Sequence, residues 1–283
     1  MTTPQPDPDS LLYAQHWEPV LAGPAHRVLD RVGGPASDSA FGTREPVTLL
    51  DLGAGTGSLT LAVADAWPTA RILSLDASAG MLSVARHRVA TERPDDDPER
   101  FEWLAADGAS MPLADASVDV VVSSFVLQLV SDRRAVLGEV LRVLRPGGAF
   151  GFVTWIAGKL WLGADAAFEE VLEELSVEEP ESSFRPGRDL DFETLAEARS
   201  ELEEAGFTDV DVRPDQLDYS WTPDAYLVFK EAYDERELFE SLSADERARL
   251  KLAVRSRWAD LPEGSFTVEA PLVSALARRA ADD

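Results

Sequence analysis

The stretch that decides the fold is VTLLDLGAGTGSLTLAVADAWP, residues 47–68. A run of apolar strand residues, VTLLDL, precedes three glycines at alternate positions, and an amphipathic helix pattern follows up to Pro68. Gly53, Gly55 and Gly57 permit positive φ and let the backbone approach a ligand without an intervening Cβ. In a parallel sheet, ligands bind beyond the carboxyl ends of the strands, which is where this turn falls. The stretch therefore predicts a nucleotide-type binding turn.

The chain around this turn alternates strand and helix patterns up to about residue 155. The segments RILSLD, FEWLAAD, VDVVVSSF and AFGFVTW are nearly continuous apolar strands, and amphipathic helix patterns separate them. Strands of this kind, alternating with helices, are typical of a mostly parallel sheet that is covered on both faces. The pattern loosens beyond residue 155, where acidic amphipathic helices and two more strand patterns follow.

Composition excludes several functional classes. The 283 residues include 52 acidic and 26 basic residues, and a net charge of −26 repels phosphate backbones, so we expect no nucleic-acid partner. No run of about 18 apolar residues is present, and the polar, proline-rich start lacks the features of a signal peptide. We therefore expect a cytoplasmic protein with no membrane partner. Because cysteine is absent and the three histidines are widely separated, no metal site is predicted, and the sequence specifies no oligomeric state.

An acidic residue beside the glycine turn narrows the choice of cofactor. A dinucleotide-binding turn requires G-x-G-x-x-G, but Ser58 stands where the third glycine would be, and the pattern is G-x-G-x-G preceded by Asp51. A carboxylate here disfavours a pyrophosphate and favours a ligand with an ammonium group and no phosphate, which describes S-adenosylmethionine. Asp76 ends the next strand, where a carboxylate can accept both ribose hydroxyls in this ligand or in NAD. Asp107 ends the third strand.

Five motifs follow one another in the order and spacing of a known family: LLDLGAGTGSLT, LDASAGMLSVAR, AADGASMPL, VDVVVSSFVLQLV and LRVLRPGGAF. Over residues 47–155 the chain resembles a class I S-adenosylmethionine-dependent methyltransferase of the small-molecule branch that includes the ubiquinone/menaquinone and biotin-pathway enzymes. The resemblance implies a Rossmann-like, doubly wound α/β fold with seven strands, mostly parallel with one antiparallel strand, plus helical cap insertions. It also implies in-line transfer of a methyl group from S-adenosylmethionine to an O, N or C nucleophile of a small-molecule acceptor.

By this resemblance, the cofactor-binding residues lie at the carboxyl ends of the first four strands. Asp51 would hold the methionine moiety with the glycine turn, Asp76 the ribose and Asp107 the adenine amino group. Residues after the second strand would flank the adenine, and those ending the fourth strand would face the sulfonium and the acceptor. The full set is Asp51, Gly53, Ala54, Gly55, Gly57, Asp76, Ala77, Met81, Asp107, Gly108, Ser123, Ser124 and Phe125.

The sequence identifies the residues that act on the acceptor less clearly than those that bind the cofactor. A displacement at a sulfonium depends on alignment and water exclusion, so a dedicated base is optional. His16 and Gln128 are the candidate catalytic residues, although a lone histidine is usually structural or solvated and Gln128 can equally start a helix. The candidates for the substrate pocket, each of which can also be a packing residue, are Tyr13, Trp17, Gln128, Trp155 and Trp161.

We expect residues 1–45 to form an N-terminal helical lid segment and residues 46–283 to form the methyltransferase domain, with cap insertions at about 156–205 and 223–262. Two other functions stay open. A non-catalytic regulatory protein could retain the same S-adenosylmethionine site. A NAD(P)-dependent oxidoreductase is disfavoured by the missing third glycine and by the lack of a Tyr-x-x-x-Lys pair.

Overall fold

The computed structural model describes residues 7–33, 47–158, 162–177 and 191–282. The chain divides into two compact units. The first comprises the described parts of Met1–Ala157, Arg188–Gln216 and Pro271–Asp283, and the second those of Gly158–Gly187 and Leu217–Ala270. Across the described ranges, every helix is too short or too polar to cross a lipid bilayer.

Seven strands make one sheet. They are β1 (Thr48–Leu52), β2 (Arg71–Asp76), β3 (Phe101–Ala105), β4 (Val118–Ser124), β5 (Leu144–Trp155), β6 (Thr208–Ser220) and β7 (Thr267–Arg278). The order across the sheet is β3-β2-β1-β4-β5-β7-β6. Neighbours from β3 to β5 pair in parallel, and β7 pairs antiparallel to β5. The predicted Rossmann-like α/β sheet with one antiparallel strand is confirmed.

Ten α-helices accompany the sheet in the described residues: α1 (Pro8–Leu12), α2 (Glu18–Val32), α3 (Ser58–Ala66), α4 (Ala79–Glu92), α5 (Arg133–Val143), α6 (Gly163–Leu175), α7 (Leu195–Ala205), α8 (Pro223–Phe229), α9 (Arg236–Ser241) and α10 (Ala244–Trp258). A π-helical turn, Tyr13–Trp17, joins α1 to α2. Side-chain caps fix several starts, because an oxygen at the cap accepts a backbone N–H of the first turn. Ser78 caps α4 in this way, and Ser243 forms a capping box with Glu246 at α10.

The core of the first unit lies on the face of the sheet that α5 and α7 cover. Leu50, Val121 and Phe150 of the central strands are fully buried, and they share one apolar cluster with Ala198 and Leu202 of α7. Helix α7 therefore belongs to the sheet unit. The first cap insertion was predicted to extend to residue 205, but the second unit leaves out α7 because the apolar face of this helix packs in the core of the first.

The second unit has an aromatic core of its own. The Tyr226 ring lies 5.5 Å from that of Trp258 and 5.8 Å from that of Phe229. The Tyr226 hydroxyl donates to Asp165 at 2.5 Å. The ammonium of Lys230 is buried beside that same carboxylate at 3.0 Å. Residues 223–262 of the second predicted insertion lie within this unit, as do the described residues 158 and 162–177 of the first.

On the other face of the sheet, α2 packs so closely on β5 that a side chain is excluded at one position. A Cβ on Gly151 would lie 2.4 Å from a methyl group of Val32 and 3.3 Å from one of Val28. Gly138 in α5 is the opposite case, because a Cβ there would meet nothing within 4 Å.

We expect Gly151→Ala to lower the free energy of unfolding by about 1–3 kcal/mol, because overpacking forces α2 away from β5. The matched control, Gly138→Ala, should raise it by about 0.5–1 kcal/mol, since alanine is the better helix former. Urea unfolding of the two variants and the wild type measures both changes. Equal stability of the two variants would contradict the close approach of α2 to β5.

Candidate functional site

The three glycines after β1 all have positive φ, at 73° for Gly53, 53° for Gly55 and 89° for Gly57. Close packing also excludes a side chain at two of these glycines. A Cβ on Gly53 would lie 2.1 Å from a Val126 methyl group, and one on Gly57 would lie 2.9 Å from the Ala85 Cβ. At Gly55, by contrast, the nearest atom to a Cβ would be a backbone oxygen 4.0 Å away. The middle of the turn therefore has open space in which a ligand can approach the backbone.

Asp76, at the end of β2, fixes the shape of this turn. Its Oδ2 accepts the N–H of Gly55 at 2.8 Å, and its Oδ1 accepts the N–H of Ser78 at 2.8 Å. The carbonyl of Leu75 accepts the N–H of Gly53 at 2.7 Å. Because each carboxylate oxygen can accept two hydrogen bonds, Asp76 retains capacity for the hydroxyl groups of a ligand.

Asp51 is a buried carboxyl group with one unsatisfied oxygen. Its side chain is 1% exposed, and its Oδ2 accepts the Thr60 hydroxyl at 2.6 Å. No donor in the described parts of the chain reaches Oδ1. Burial raises the pKa of Asp51 to about 7, the Thr60 bond opposes that rise, and the negative charge of Asp76 adds to it. A buried acceptor without a donor is costly, so a cationic donor entering here would be strongly favoured.

The third strand-end acid is more open to solvent. Asp107 is exposed, and its Oδ1 accepts the N–H of Ala109 at 2.8 Å. The next residue, Gly108, is half-buried, and a Cβ on it would lie 3.2 Å from the Leu52 side chain. This carboxylate is free of ion pairing in the contacts that the structure describes, so it can accept a hydrogen bond from a ligand.

Three further predicted residues lie after β2 and in the glycine turn. Ala77 is exposed and Met81 is half-buried, with its N–H donating to the Ser78 side chain at 3.2 Å. Ala54 is buried in the turn, 6% exposed, and its N–H shares the Leu75 carbonyl at 2.9 Å. The first four strands thus bring their carboxyl-end residues to one edge of the sheet, as parallel pairing requires.

The residue directly after β4 is a strained aromatic residue. Phe125 has a φ of 56°, a conformation that a bulky side chain rarely adopts and that is concentrated at functional sites. Its N–H donates to the Val153 carbonyl at 2.8 Å, and its ring lies 5.2 Å from that of Trp155. Before it, Ser123 is buried and its hydroxyl donates to Leu52, whereas Ser124 is half-buried.

The side chain of Gln128 contacts the backbone of Phe125. Its Nε2 donates to the Phe125 carbonyl at 2.6 Å, and its Oε1 accepts the hydroxyl of Thr154, which is fully buried. Both ends of the side-chain amide are therefore used inside the protein. The structure brings Gln128 to the site as a support for the strained residue rather than as a group that faces outward.

The N-terminal candidates lie together in the π-helical turn before α2. Tyr13, His16 and Trp17 are each partly buried there. Partial burial lowers the pKa of His16, so the imidazole is mainly neutral at pH 7. Trp161 falls outside the described residues.

Sequence reasoning missed a charged cluster that holds the glycine turn. Glu18 is buried at the start of α2 and accepts the hydroxyl of Thr56, which lies between two of the turn glycines. Arg88 of α4 donates to both Glu18 oxygens at 2.7 and 2.8 Å and to the Thr56 carbonyl at 3.0 Å. The single sequence signal was a hydroxyl residue inside a turn otherwise made of glycine and alanine.

The strand order, the glycine turn and the strand-end carboxylates agree with the resemblance to class I S-adenosylmethionine-dependent methyltransferases. Residues 50–152 match the family described as "Methyltransferase domain".

Two curated relatives and one solved structure illustrate the similarity. A malonyl-[acyl-carrier protein] O-methyltransferase of Xylella fastidiosa is 38% identical over 108 residues, which are 38% of this chain and 35% of that protein. A demethylmenaquinone methyltransferase of Beutenbergia cavernae is 39% identical over 120 residues, or 42% of this chain and 45% of that protein. The chain thus spans less than half the length of each.

In fold, the chain is similar to phosphoethanolamine N-methyltransferase 2 of Haemonchus contortus, solved in complex with phosphomonomethylethanolamine and S-adenosylhomocysteine. The TM-score is 0.55 at 18% sequence identity, and the match covers 96% of this chain and 57% of that one.

The buried carboxyl group predicts a stability that depends on pH. Because the pKa of Asp51 is about 7 in the folded protein and near 4 in an unfolded chain, ionisation destabilises the fold progressively as the pH rises between these values. We expect Asp51→Asn to gain free energy of unfolding relative to the wild type as the pH rises from 5 to 8, by about 2 to 3 kcal/mol. Urea unfolding of both proteins at several pH values measures this difference in free energy of unfolding. Exposed Asp107→Asn is the control and should show no such gain.

The contact between Gln128 and Thr154 predicts a second effect. Gln128→Ala leaves a buried hydroxyl without its acceptor and should lower the free energy of unfolding by about 1–3 kcal/mol. Adding Thr154→Val removes the unpaired hydroxyl, so the double variant should regain part of that loss. Leu129→Ala is the control, because Leu129 is 68% exposed. Strict additivity of the two substitutions in thermal or urea unfolding would contradict the contact.

Proposed function

We propose that this protein binds S-adenosylmethionine at the glycine turn and transfers its methyl group to a small-molecule acceptor. The observation that carries the proposal is the orphaned Oδ1 of Asp51, which is buried beside a turn where Gly55 has open space. The ammonium of a methionine moiety would supply the missing donor and the positive charge. The same carboxylate would repel a pyrophosphate, which argues against a dinucleotide.

The other strand-end groups fit the remaining parts of this cofactor. Asp76 is already oriented by the N–H groups of Gly55 and Ser78, so its free lone pairs can accept the ribose hydroxyls. Exposed Asp107 would accept the adenine amino group, and Ala77 and Met81 would flank the ring. These roles rest on the family resemblance, and the geometry of each side chain is compatible with its role.

When bound, S-adenosylmethionine supplies a methyl group bonded to a sulfonium sulfur, and this sulfur is a good leaving group because it departs as a neutral thioether. The protein's own residues then have to align the acceptor and exclude water, and such alignment can be worth effective molarities of about 10⁵ M or more. Phe125 and Trp155 form an aromatic surface at the ends of β4 and β5 that suits this task. Gln128 keeps Phe125 in its strained conformation through the Phe125 carbonyl. His16 stays a candidate base.

The acceptor is proposed only as a class. The two curated relatives are named for different acceptors, a malonyl-acyl-carrier protein and a demethylmenaquinone. The family match, residues 50–152, spans the cofactor motifs, so it supports the cofactor and no particular acceptor. The net charge of −26 disfavours a nucleic-acid acceptor.

Isothermal titration with S-adenosylhomocysteine tests the proposal without an acceptor. We expect micromolar binding by the wild type and a loss of about 10- to 100-fold in Asp76→Ala, because two ribose hydroxyls lose a charged acceptor. Asp260→Ala, an exposed acid between α10 and β7, is the matched control and should bind as the wild type does. Binding of NADH that depends on Asp76 would indicate an oxidoreductase. Tight cofactor binding without methyl transfer to any screened acceptor would indicate a regulatory protein.

A further inference from the structure

A carboxylate of the N-terminal segment anchors the middle of the glycine turn. Within Gly53–Gly57, Thr56 has the only side chain longer than a methyl group, and it is 2% exposed. Its hydroxyl donates to Oε2 of Glu18, a residue that lies 38 positions earlier in the chain. The other residues of Gly53–Gly57 are glycine and alanine, which have no side-chain hydrogen-bonding group. The contact of Thr56 with Glu18 is therefore the one side-chain hydrogen bond that the turn can make at this position.

Arg88 is the third residue of this anchor, because one of its nitrogens contacts both Glu18 and Thr56. Its guanidinium donates to both oxygens of Glu18 and to the backbone carbonyl of Thr56, so the hydroxyl and the carbonyl of one turn residue are held at once. Burial disfavours the charge of Arg88, but the adjacent Glu18 carboxylate raises the pKa of this guanidinium above its ordinary value. The guanidinium therefore keeps its positive charge, and the hydrogen bonds that it donates are of the stronger, charge-assisted kind.

The same N-terminal segment also lies against the start of α4, the helix that follows β2. A Cβ on Gly80 would be 1.7 Å from Oδ2 of Asp7 and 3.3 Å from the Ser10 hydroxyl, so a side chain at this point of α4 would displace the Asp7 carboxylate. Asp7 is itself fixed, because it accepts the N–H and the hydroxyl of Ser10 at 2.9 and 2.7 Å. One segment thus touches the turn after β1 and, near Ser78, the start of the helix after β2.

We propose that Glu18 and Arg88 are positioning residues for the cofactor, which hold Thr56 so that the open side of Gly55 has its ligand-binding conformation before a ligand arrives. The inference rests on the proposed function. A turn with three glycines has many accessible conformations, and a ligand that must first order the turn binds more weakly by the amount of that ordering. Because coupling of this kind is reciprocal, a bound cofactor must in turn stabilise the first turn of α2.

The test uses the full chain and S-adenosylhomocysteine as the probe. Thr56→Val keeps the shape of the side chain and removes the hydroxyl, and we expect its affinity to fall about 10-fold in isothermal titration. Thr56→Ser restores a hydroxyl and should bind within about twofold of the wild type. Thr91→Val is the matched control, because the Thr91 hydroxyl donates to a carbonyl on the exposed side of α4. Circular dichroism at the titration temperature verifies that each variant is folded.

A second readout separates positioning from general stability. Hydrogen exchange of the wild type should slow in the first turn of α2 when S-adenosylhomocysteine is added, and this protection should be smaller in Thr56→Val and in Glu18→Gln. Glu18→Gln serves for both measurements if Thr56→Val does not fold. Equal affinity of the wild type and Thr56→Val, or weak binding that Thr56→Ser does not rescue, would overturn the positioning role. The proposed binding of S-adenosylmethionine would be unaffected by either result. A wild type that does not bind the probe would overturn the proposed function itself.

Discussion

The candidate site depends on the hydrogen bonds that tie the glycine turn to the end of β2. The register of the parallel pair sets Leu52 of β1 opposite Leu75 of β2, so the chain leaves β1 beside the Leu75 carbonyl. That carbonyl and the carboxylate of Asp76 then take the N–H groups at the start and middle of the turn. A turn built from glycines has little intrinsic preference for one shape, and these bonds choose the shape for it. The binding edge is therefore a product of strand pairing.

The same pairing places two carboxylates near each other before any cation is present. The charge of Asp76 raises the pKa of Asp51, in addition to the larger effect of burial. Replacing Asp51 by an apolar residue would remove a cost from the fold, because a buried, partly unpaired carboxyl group is unfavourable. Retaining such a cost is typical of sites where stability is exchanged for affinity.

The sequence was sufficient for those features that follow from residue type and local spacing. Positive φ at the three glycines, the strand-end positions of Asp51 and Asp76, and the mostly parallel sheet all follow from patterns within a few residues. The anchor of Glu18 and Arg88 could not be predicted in this way, because its partners are 70 residues apart and each looks like an ordinary helix surface residue. The packing of α7 in the core of the first unit could not be predicted either, since an amphipathic pattern shows which face is buried but not which surface covers it. The strain at Phe125 has no sequence signal, since phenylalanine normally avoids that conformation.

A pKa near 7 gives Asp51 a consequence beyond affinity. Because this pKa lies close to neutral pH, the protonated and the ionised forms of the carboxyl group are both populated in the free protein. An ammonium placed against it favours the ionised form, so each arriving cofactor would expel a fraction of a proton, and each departing product that retains the ammonium would take it back. The loading cycle of such a site is coupled to proton exchange with the solvent even when the transferred group itself carries no proton.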